Sequence, residues 1–160
     1  MSARRELPNV AEILGPVLGR VSQEQRPLLM AIAEQMAAER YRQWATATPD
    51  PARQSDLVAC ADREEKIAGL VAALYPGAAE TQADIRAKNP DLVDLNRSIF
   101  ADRPLADQYA IQAQGERVGA STWRALAEDA GPAARQTFLD CAELEEQSAA
   151  VLESILADEP

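Results

Sequence analysis

The pattern Cys-Ala-x-x-Glu-Glu-x-x-Ala occurs twice in this chain, beginning at Cys60 and again at Cys141. In each copy the first glutamate, Glu64 or Glu145, lies three residues before a position where a metal site between helices usually carries histidine. Those two positions hold Ile67 and Ser148. Because the chain contains no histidine, any metal site built on this pattern has to rely on carboxylates.

Two further glutamates share this placement. Residues three, four and seven positions apart lie on one face of a helix, so the apolar stripe of each helix can be followed through the sequence. Glu34, Glu64, Glu116 and Glu145 each fall on such a stripe, one in each of four predicted helices. A lone glutamate on an apolar stripe is more often a residue at the edge of the core. Four such glutamates, one per helix and two of them related by the internal repeat, indicate that the positions originated as a metal site.

Four inward carboxylates repel one another and lose their hydration, which costs several kcal/mol per ion. Bound cations, shared protons with raised pKa values, or a wet cavity have to compensate. Arg40 and Arg117 lie off the stripes by the helical count, and no inward lysine is apparent. An all-oxygen ligand set favours Mn, Mg, Ca or ferric iron over zinc or copper.

Helical sequence has to position these side chains. Alanine, leucine and glutamate dominate, and proline falls mostly between periodic stretches. We expect long helices over residues 28 to about 47, 55 to 74, 107 to 129 with Asp107 as the cap, and 134 to 157. Residues 76 to 106 suit a crossover with a short helix near 79 to 88. An amphipathic segment at 10 to 21, broken by Gly15-Pro16, predicts a kinked or split accessory helix.

Composition limits the function classes. A 160-residue chain that is 47% hydrophobic can bury one ordinary core, so we expect a single domain over 1–160, with an accessory segment at 1–24 and a bundle at 25–157. The net charge of −10 argues against nucleic acid or an anionic membrane as a partner. The opening residues lack the apolar stretch of a signal peptide, which predicts a cytoplasmic protein.

Cysteines and aromatic residues are interpreted as packing. Cys60 and Cys141 precede their glutamates by one turn on helices expected to be antiparallel, which carries the two thiols toward opposite ends and excludes a disulfide. Tyr41, Trp44 and Trp123 lie on the apolar stripes and are expected to be core residues.

Four segments resemble the ligand-bearing helices of the rubrerythrin-type ferritin-like domain, over residues 28 to 156. The matching segments are Glu34-x-x-Ala37-x-x-Arg40-Tyr41, Glu64-Glu65-Lys66-Ile67-Ala68, Gly115-Glu116 and Ala142-x-x-Glu145-Glu146-x-Ser148. The resemblance implies an all-α, ferritin-like antiparallel four-helix bundle with a long crossover between helices two and three. It also implies Glu34, Glu64, Glu116 and Glu145 as candidate metal ligands, with Tyr41, Ile67, Gly119 and Ser148 lining the site.

The chain departs from that family at the positions that matter most for redox chemistry. Ile67 and Ser148 replace both ligand histidines, and Gly119 stands where a further carboxylate is frequent. The first hypothesis is therefore a degenerate ferritin-like protein that has no cofactor and no di-iron catalysis. It would act as a structural or interaction module and form a homo-oligomer, with a dimer as the simplest case.

Two alternatives remain open. One is a metal-binding protein or oxidase with a weak, carboxylate-only Mn or Fe site; if the protein is an enzyme, the resemblance implies a di-metal oxidoreductase. The other is a binder of a small apolar ligand in the space vacated at Ile67, Gly119 and Ser148.

Overall fold

The computed structural model describes residues 6–159, and this part of the chain is all-helical. It contains seven α-helices, one 3-10 turn at Gln23–Gln25 and no β-strand. The first five residues of the accessory segment and Pro160 lie outside the described residues. The helices are α1 (Val10–Leu18), α2 (Arg26–Ala47), α3 (Pro51–Ala72), α4 (Ala78–Lys88), α5 (Leu92–Phe100), α6 (Leu105–Glu128) and α7 (Pro132–Ala157).

Helix α3 begins four residues before the predicted start. Asp50 accepts hydrogen bonds from the backbone N–H groups of Ala52 and Arg53, both at 3.3 Å. Pro51 occupies the first helical position, where its missing N–H costs nothing. The proline-rich stretch therefore starts this helix as well as separating it from α2.

Other predicted ends also shift. Helix α1 stops at Leu18 instead of residue 21, with Pro16 inside it. Helix α6 starts at Leu105 with Pro104 at the cap position, so the expectation that Asp107 caps this helix is wrong; Asp107 lies buried in its first turn. Helix α7 starts at Pro132, directly after Gly131, two residues earlier than expected.

The sequence interpretation missed α5. The breaks at Asn89-Pro90 and Arg103-Pro104 suggested irregular chain, yet the segment between them is helical. Its apolar residues Leu92, Leu95 and Ile99 recur at spacings of three, four and seven, which is the pattern of an amphipathic helix.

The four long helices share two apolar clusters. The first draws Met30, Val71, Trp123 and Phe138 from α2, α3, α6 and α7. The second draws Trp44, Leu57, Tyr109 and Leu152 from the same four helices. Helices α2 and α7 thus run from the first cluster to the second, and α3 and α6 run in the opposite direction.

In this order α2 and α3 form one antiparallel hairpin, and α6 and α7 form another. Helix α3 ends near the first cluster, whereas α6 begins near the second. Helices α4 and α5 carry the chain back. Leu92, at the start of α5, belongs to a third apolar cluster with Leu28 of α2. Phe100, at its end, packs edge-on against Trp44 with ring centroids 6.3 Å apart.

Both cysteines are free and buried. Cys60 belongs to the second cluster and Cys141 to the first, so they lie on either side of the middle of the long helices. This arrangement agrees with the predicted separation toward opposite ends. Among residues 6–159, no helix is long and apolar enough to cross a membrane.

We expect Asp50→Ala to lower the free energy of unfolding by about 1 kcal/mol, because two backbone N–H groups of α3 lose their acceptor. Asp50→Asn retains a capping oxygen and serves as the control, with stability close to that of the wild type. Urea unfolding followed by circular dichroism measures both. Equal stability of the two variants would contradict the capping role of Asp50.

Candidate metal centre

The four inward glutamates lie between the two apolar clusters, and each comes from a different long helix. Their side chains are buried, with exposed fractions of 6% for Glu34, 0% for Glu64, 1% for Glu116 and 2% for Glu145. On every helix the glutamate falls between the residues that join the first cluster and those that join the second. The core is therefore a carboxylate layer enclosed by apolar packing.

Three of the four carboxylates come within range of a single ion. Glu34, Glu64 and Glu145 each offer one oxygen, and these oxygens all lie within 4.8 Å of one another. Oxygens that ligate one cation at 2.0 to 2.6 Å can be at most about 5 Å apart. The spacing suits a shared cation, although the ligands number three where the sequence predicted four.

Glu116 is adjacent to this group but is already engaged. Its Oε1 accepts hydrogen bonds from the Tyr41 hydroxyl and from Nε2 of Gln112, both at 2.7 Å. Its buried Oε2 has no hydrogen-bond partner. Tyr41 therefore contacts the carboxylate layer as a donor that fixes one carboxylate oxygen.

Glu145 depends on the absence of a side chain at Gly119. A Cβ at that position would lie 2.4 Å from Oε1 and 3.0 Å from Oε2 of Glu145, which is far inside van der Waals contact. The Trp123 indole N–H donates to Oε1 of Glu145 at 3.0 Å. Gly119 thus provides the space and Trp123 the orientation for this carboxylate.

Glu64 is held by Ser148, which is itself held by Arg63. The Ser148 hydroxyl donates to its Oε1 at 2.9 Å, and Nε of Arg63 donates to Oγ of Ser148 at 3.1 Å. The other oxygen of Glu64, Oε2, is buried and unpartnered. Ile67, where the resemblance implies a histidine, is fully buried in the first apolar cluster and offers no ligand.

Arg40 reaches the layer indirectly. The helical count places it off the stripe of α2, but its guanidinium lies over the Phe100 ring at 3.7 Å and donates to Gln112 Oε1 at 2.6 Å. It also donates to Asn96 Oδ1. Burial lowers the pKa of Arg40 to about 10, so the group stays charged at neutral pH. Among residues 6–159, no arginine or lysine forms a direct ion pair with any of the four glutamates.

Burial and the neighbouring carboxylates favour the protonated forms of Glu34, Glu64 and Glu145 in the absence of metal. Burial is the main cause that raises the pKa of Glu34 from 4.5 to about 7, although a hydrogen bond with Glu145 offsets part of the effect. Burial, followed by the charges of Glu116 and Glu34, raises the pKa of Glu64 well above 4.5. Burial and the charge of Glu34 do the same for Glu145. At neutral pH the metal-free site therefore retains protons.

Sequence reasoning missed two residues of this network. Gln112 lies four residues before Glu116 on the same helix, so the i, i+4 rule could have paired them. Arg63 precedes Glu64 directly and falls off the stripe; only the length of its side chain lets it reach Ser148, and no spacing rule predicts that.

Comparison of the chain with protein-family models, with curated proteins and with solved structures found no match in any of the three.

We expect Gly119→Ala to lower the free energy of unfolding by about 1 to 3 kcal/mol, because the added methyl group displaces the Glu145 carboxylate. Gly115→Ala on the same helix is the matched control. A Cβ there meets only Val10 Cγ1, at 4.0 Å, so helix propensity alone should stabilise that variant by up to about 1 kcal/mol. Thermal and urea unfolding of both variants give the comparison. A Gly119→Ala protein as stable as Gly115→Ala would contradict the close approach of Glu145.

The raised pKa values predict a pH effect with a defined sign in chelator-treated protein. A carboxyl group whose pKa is higher in the folded state stabilises that state fully below its ordinary pKa of 4.5, and the contribution is lost as the pH rises through the higher folded-state pKa. Between about pH 5 and pH 8, Glu64→Gln/Glu145→Gln should therefore gain stability relative to the wild type. The gain should increase with pH, because the wild type has to bury more carboxylate charge as these groups lose their protons.

The matched control is Glu65→Gln/Glu146→Gln, which neutralises the second glutamate of each repeat. Those side chains are partly exposed and pair with Arg42 and Arg124. Urea unfolding at several pH values should show no comparable gain for this variant. If the buried-pair variant follows the same pH dependence as the wild type, the carboxylates have partners that hold them ionised.

Proposed function

We propose that this protein is a ferritin-like bundle protein that binds one hard metal cation, Mn²⁺ or Fe²⁺, through Glu34, Glu64 and Glu145. It does so without the two-histidine di-metal redox catalysis of the family it resembles. The observation that carries the proposal is the convergence of three buried carboxylate oxygens within 4.8 Å.

The unpartnered oxygens support a bound ion. Oε2 of Glu64 and Oε2 of Glu116 are both buried without a hydrogen-bond partner. An unsatisfied buried oxygen is costly, and more so when it carries charge. A cation in contact with the three-carboxylate group would satisfy Glu64 and would replace the protons that the metal-free site has to hold.

The donor set favours a hard ion. All three groups are carboxylates, and the two cysteines lie in the apolar clusters. Oxygen ligands suit Mn²⁺, Mg²⁺, Ca²⁺ and iron better than zinc or copper. A bound manganese or iron ion would supply Lewis acidity and redox capacity, while the residues around it orient its ligands and exclude water.

One ion fits the described residues better than two. Glu116 Oε1 already accepts two hydrogen bonds, Ser148 already donates to Glu64, and Ile67 is apolar. These are the groups from which a second ligand set would have to be drawn. Tyr41, Gln112, Trp123 and Ser148 would then act by holding the carboxylates in place.

The chain path supports the ferritin-like part of the proposal. The two hairpins, the helical connection that returns the chain along their length, and one inward glutamate from each long helix match what the resemblance implies. A bound divalent ion would also offset two of the buried negative charges, which supports the proposed metal site.

The test is a titration of chelator-treated protein with Mn²⁺ and Fe²⁺ under anaerobic conditions, together with elemental analysis of protein purified without chelators. We expect about one ion per chain for the wild type. For Glu64→Gln/Glu145→Gln we expect affinity at least about 100-fold weaker, because two charged ligands are lost.

The control Glu65→Gln/Glu146→Gln changes the net charge by the same amount and should bind the ion like the wild type. Absence of metal from the purified protein, combined with equal titrations of all three proteins, would contradict the proposal. That result would favour the structural or interaction module instead.

A further inference from the structure

A hydrogen-bonded row of polar side chains runs from the carboxylate layer to α5. Nε2 of Gln112 donates to Oε1 of Glu116 at 2.7 Å, and Nη1 of Arg40 donates to Oε1 of Gln112 at 2.6 Å. The other terminal nitrogen of Arg40, Nη2, donates to Oδ1 of Asn96 on α5. Three consecutive hydrogen bonds therefore connect Glu116 with a helix outside the four long ones.

The Arg40 end of this row lies between two spaces. The inner space is a cavity of about 150 Å³ between α1, α2, α5 and α6, and its lining includes Glu34, Glu116 and Glu145. The outer space is a surface depression of about 290 Å³ over α2 and α5, and its lining includes Glu39 and Asp102. The inner space therefore reaches the carboxylate layer, and the outer space reaches the solvent.

Four residues line both spaces and separate them: Met36, Arg40, Asn96 and Phe100. The Arg40 guanidinium lies over the Phe100 ring at 3.7 Å and donates to Asn96. Both of these contacts join α2 to α5. The partition between the two spaces thus depends on how Arg40 is held against α5.

Helix α5 is weakly anchored for this task. Leu92, at its start, is the one buried residue among its nine. Phe100, at its end, is held edge-on by Trp44 and from the other side chain by Arg40. A segment with so few buried apolar contacts can open locally at a small cost in free energy. Displacement of the Arg40 side chain, or of the end of α5, would join the two spaces.

The polar row is also the side of the inner cavity that suits an ion. Apart from the three glutamates, the polar side chains on its lining are Arg40, Asn96 and Gln112, and the rest of the wall is apolar. Apolar surface disfavours a hydrated ion. The acidic groups at the outer depression attract cations, whereas the Arg40 charge repels them while it fills the partition.

We infer that Arg40 is the gate on the path by which a divalent cation passes from the outer depression to the carboxylate layer. The gate is closed while the guanidinium contacts Phe100 and Asn96, and it opens when those contacts break. The inference rests on the proposed function for the identity of the ion that passes. The path itself is tested separately, without metal.

The first test measures access of water to the layer in chelator-treated protein. The Trp123 indole N–H donates to Glu145 and is fully buried, so its hydrogen exchange reports entry of solvent. We expect Arg40→Ala to increase the exchange rate by about 10-fold, because the stacked cation no longer closes the partition. NMR of the indole signal gives the rate.

Arg42→Ala is the matched control. It removes the same charge from the same helix at an exposed position, where Arg42 pairs with Asp62 and Glu65, and Trp123 should exchange as in the wild type. Core backbone amides of α7 report global opening and should not accelerate by the same factor as the indole. Equal Trp123 exchange in the two arginine variants, or an equal acceleration of the α7 amides in Arg40→Ala, would overturn the gate.

The second test measures the passage of Mn²⁺. Stopped-flow tryptophan fluorescence follows association, and addition of a chelator to the loaded protein follows dissociation. We expect Arg40→Ala to increase both rates by about 10-fold at a stoichiometry of about one, because a gate acts on entry and exit alike. An increase in the dissociation rate alone would show that Arg40 only stabilises the site, and would overturn the gate.

A change at the inner cavity should act in the opposite direction. Gly115 lines this cavity, and a Cβ there meets only Val10 Cγ1, at 4.0 Å. Gly115→Leu should fill the space and slow both Mn²⁺ rates by about 10-fold, with a smaller decrease for Gly115→Ala if the leucine variant folds poorly. Gly69→Leu on α3, with nothing within 4 Å of the added Cβ, should have wild-type rates.

The outcomes separate this inference from the proposed function. Faster Trp123 exchange in Arg40→Ala without Mn²⁺ binding in any variant would support the path and contradict the metal site. Mn²⁺ binding with equal rates in Arg40→Ala and the wild type would support the metal site and overturn the gate. Unchanged rates in both Gly115 variants, with circular dichroism like that of the wild type, would overturn the route through the inner cavity.

Discussion

The burial of four carboxylates in one layer is the constraint on which the rest of the core depends. The hydrogen bonds that support them cross from helix to helix: Tyr41 of α2 to Glu116 of α6, Trp123 of α6 to Glu145 of α7, and Ser148 of α7 to Glu64 of α3. Helices α2 and α3 are joined directly as a hairpin, so all four long helices are linked. A slip of any long helix would break at least one of these bonds, so the polar layer sets the axial register that apolar packing alone leaves loose.

Two arginines each lie two hydrogen bonds away from a carboxylate, with one uncharged side chain in between. Arg63 acts on Glu64 through Ser148, and Arg40 acts on Glu116 through Gln112. A direct guanidinium pair would neutralise a glutamate and occupy its oxygens. The intervening serine and glutamine instead pass on part of the polarisation, and each supported glutamate keeps one free oxygen. The network therefore stabilises the layer without using all of its coordinating capacity.

The periodicity of the sequence predicted the four long helices and the inward position of all four glutamates, because a 3.6-residue repeat depends only on local geometry. Periodicity could not show that one oxygen of Glu116 is already engaged in hydrogen bonds. Those bonds come from Tyr41 of α2 and Gln112 of α6, and the first depends on how the two helices pack. Helix α5 lies between Pro90 and Pro104, which favour chain breaks, and only the apolar spacing of Leu92, Leu95 and Ile99 indicates it. The cavity depends on how α1 and α5 cover the long helices, which no single segment encodes.

The glycine at position 119 is explained by the space that a neighbouring side chain needs. The resemblance seen in the sequence implies a carboxylate at this place, where this chain has no side chain. Yet the space that such a side chain would need is taken by the Glu145 carboxylate. The absence of a side chain at Gly119 of α6 therefore provides the volume that the Glu145 side chain of α7 fills. An acidic residue at 119 would accordingly require Glu145 to move at the same time, so the two positions can change only together.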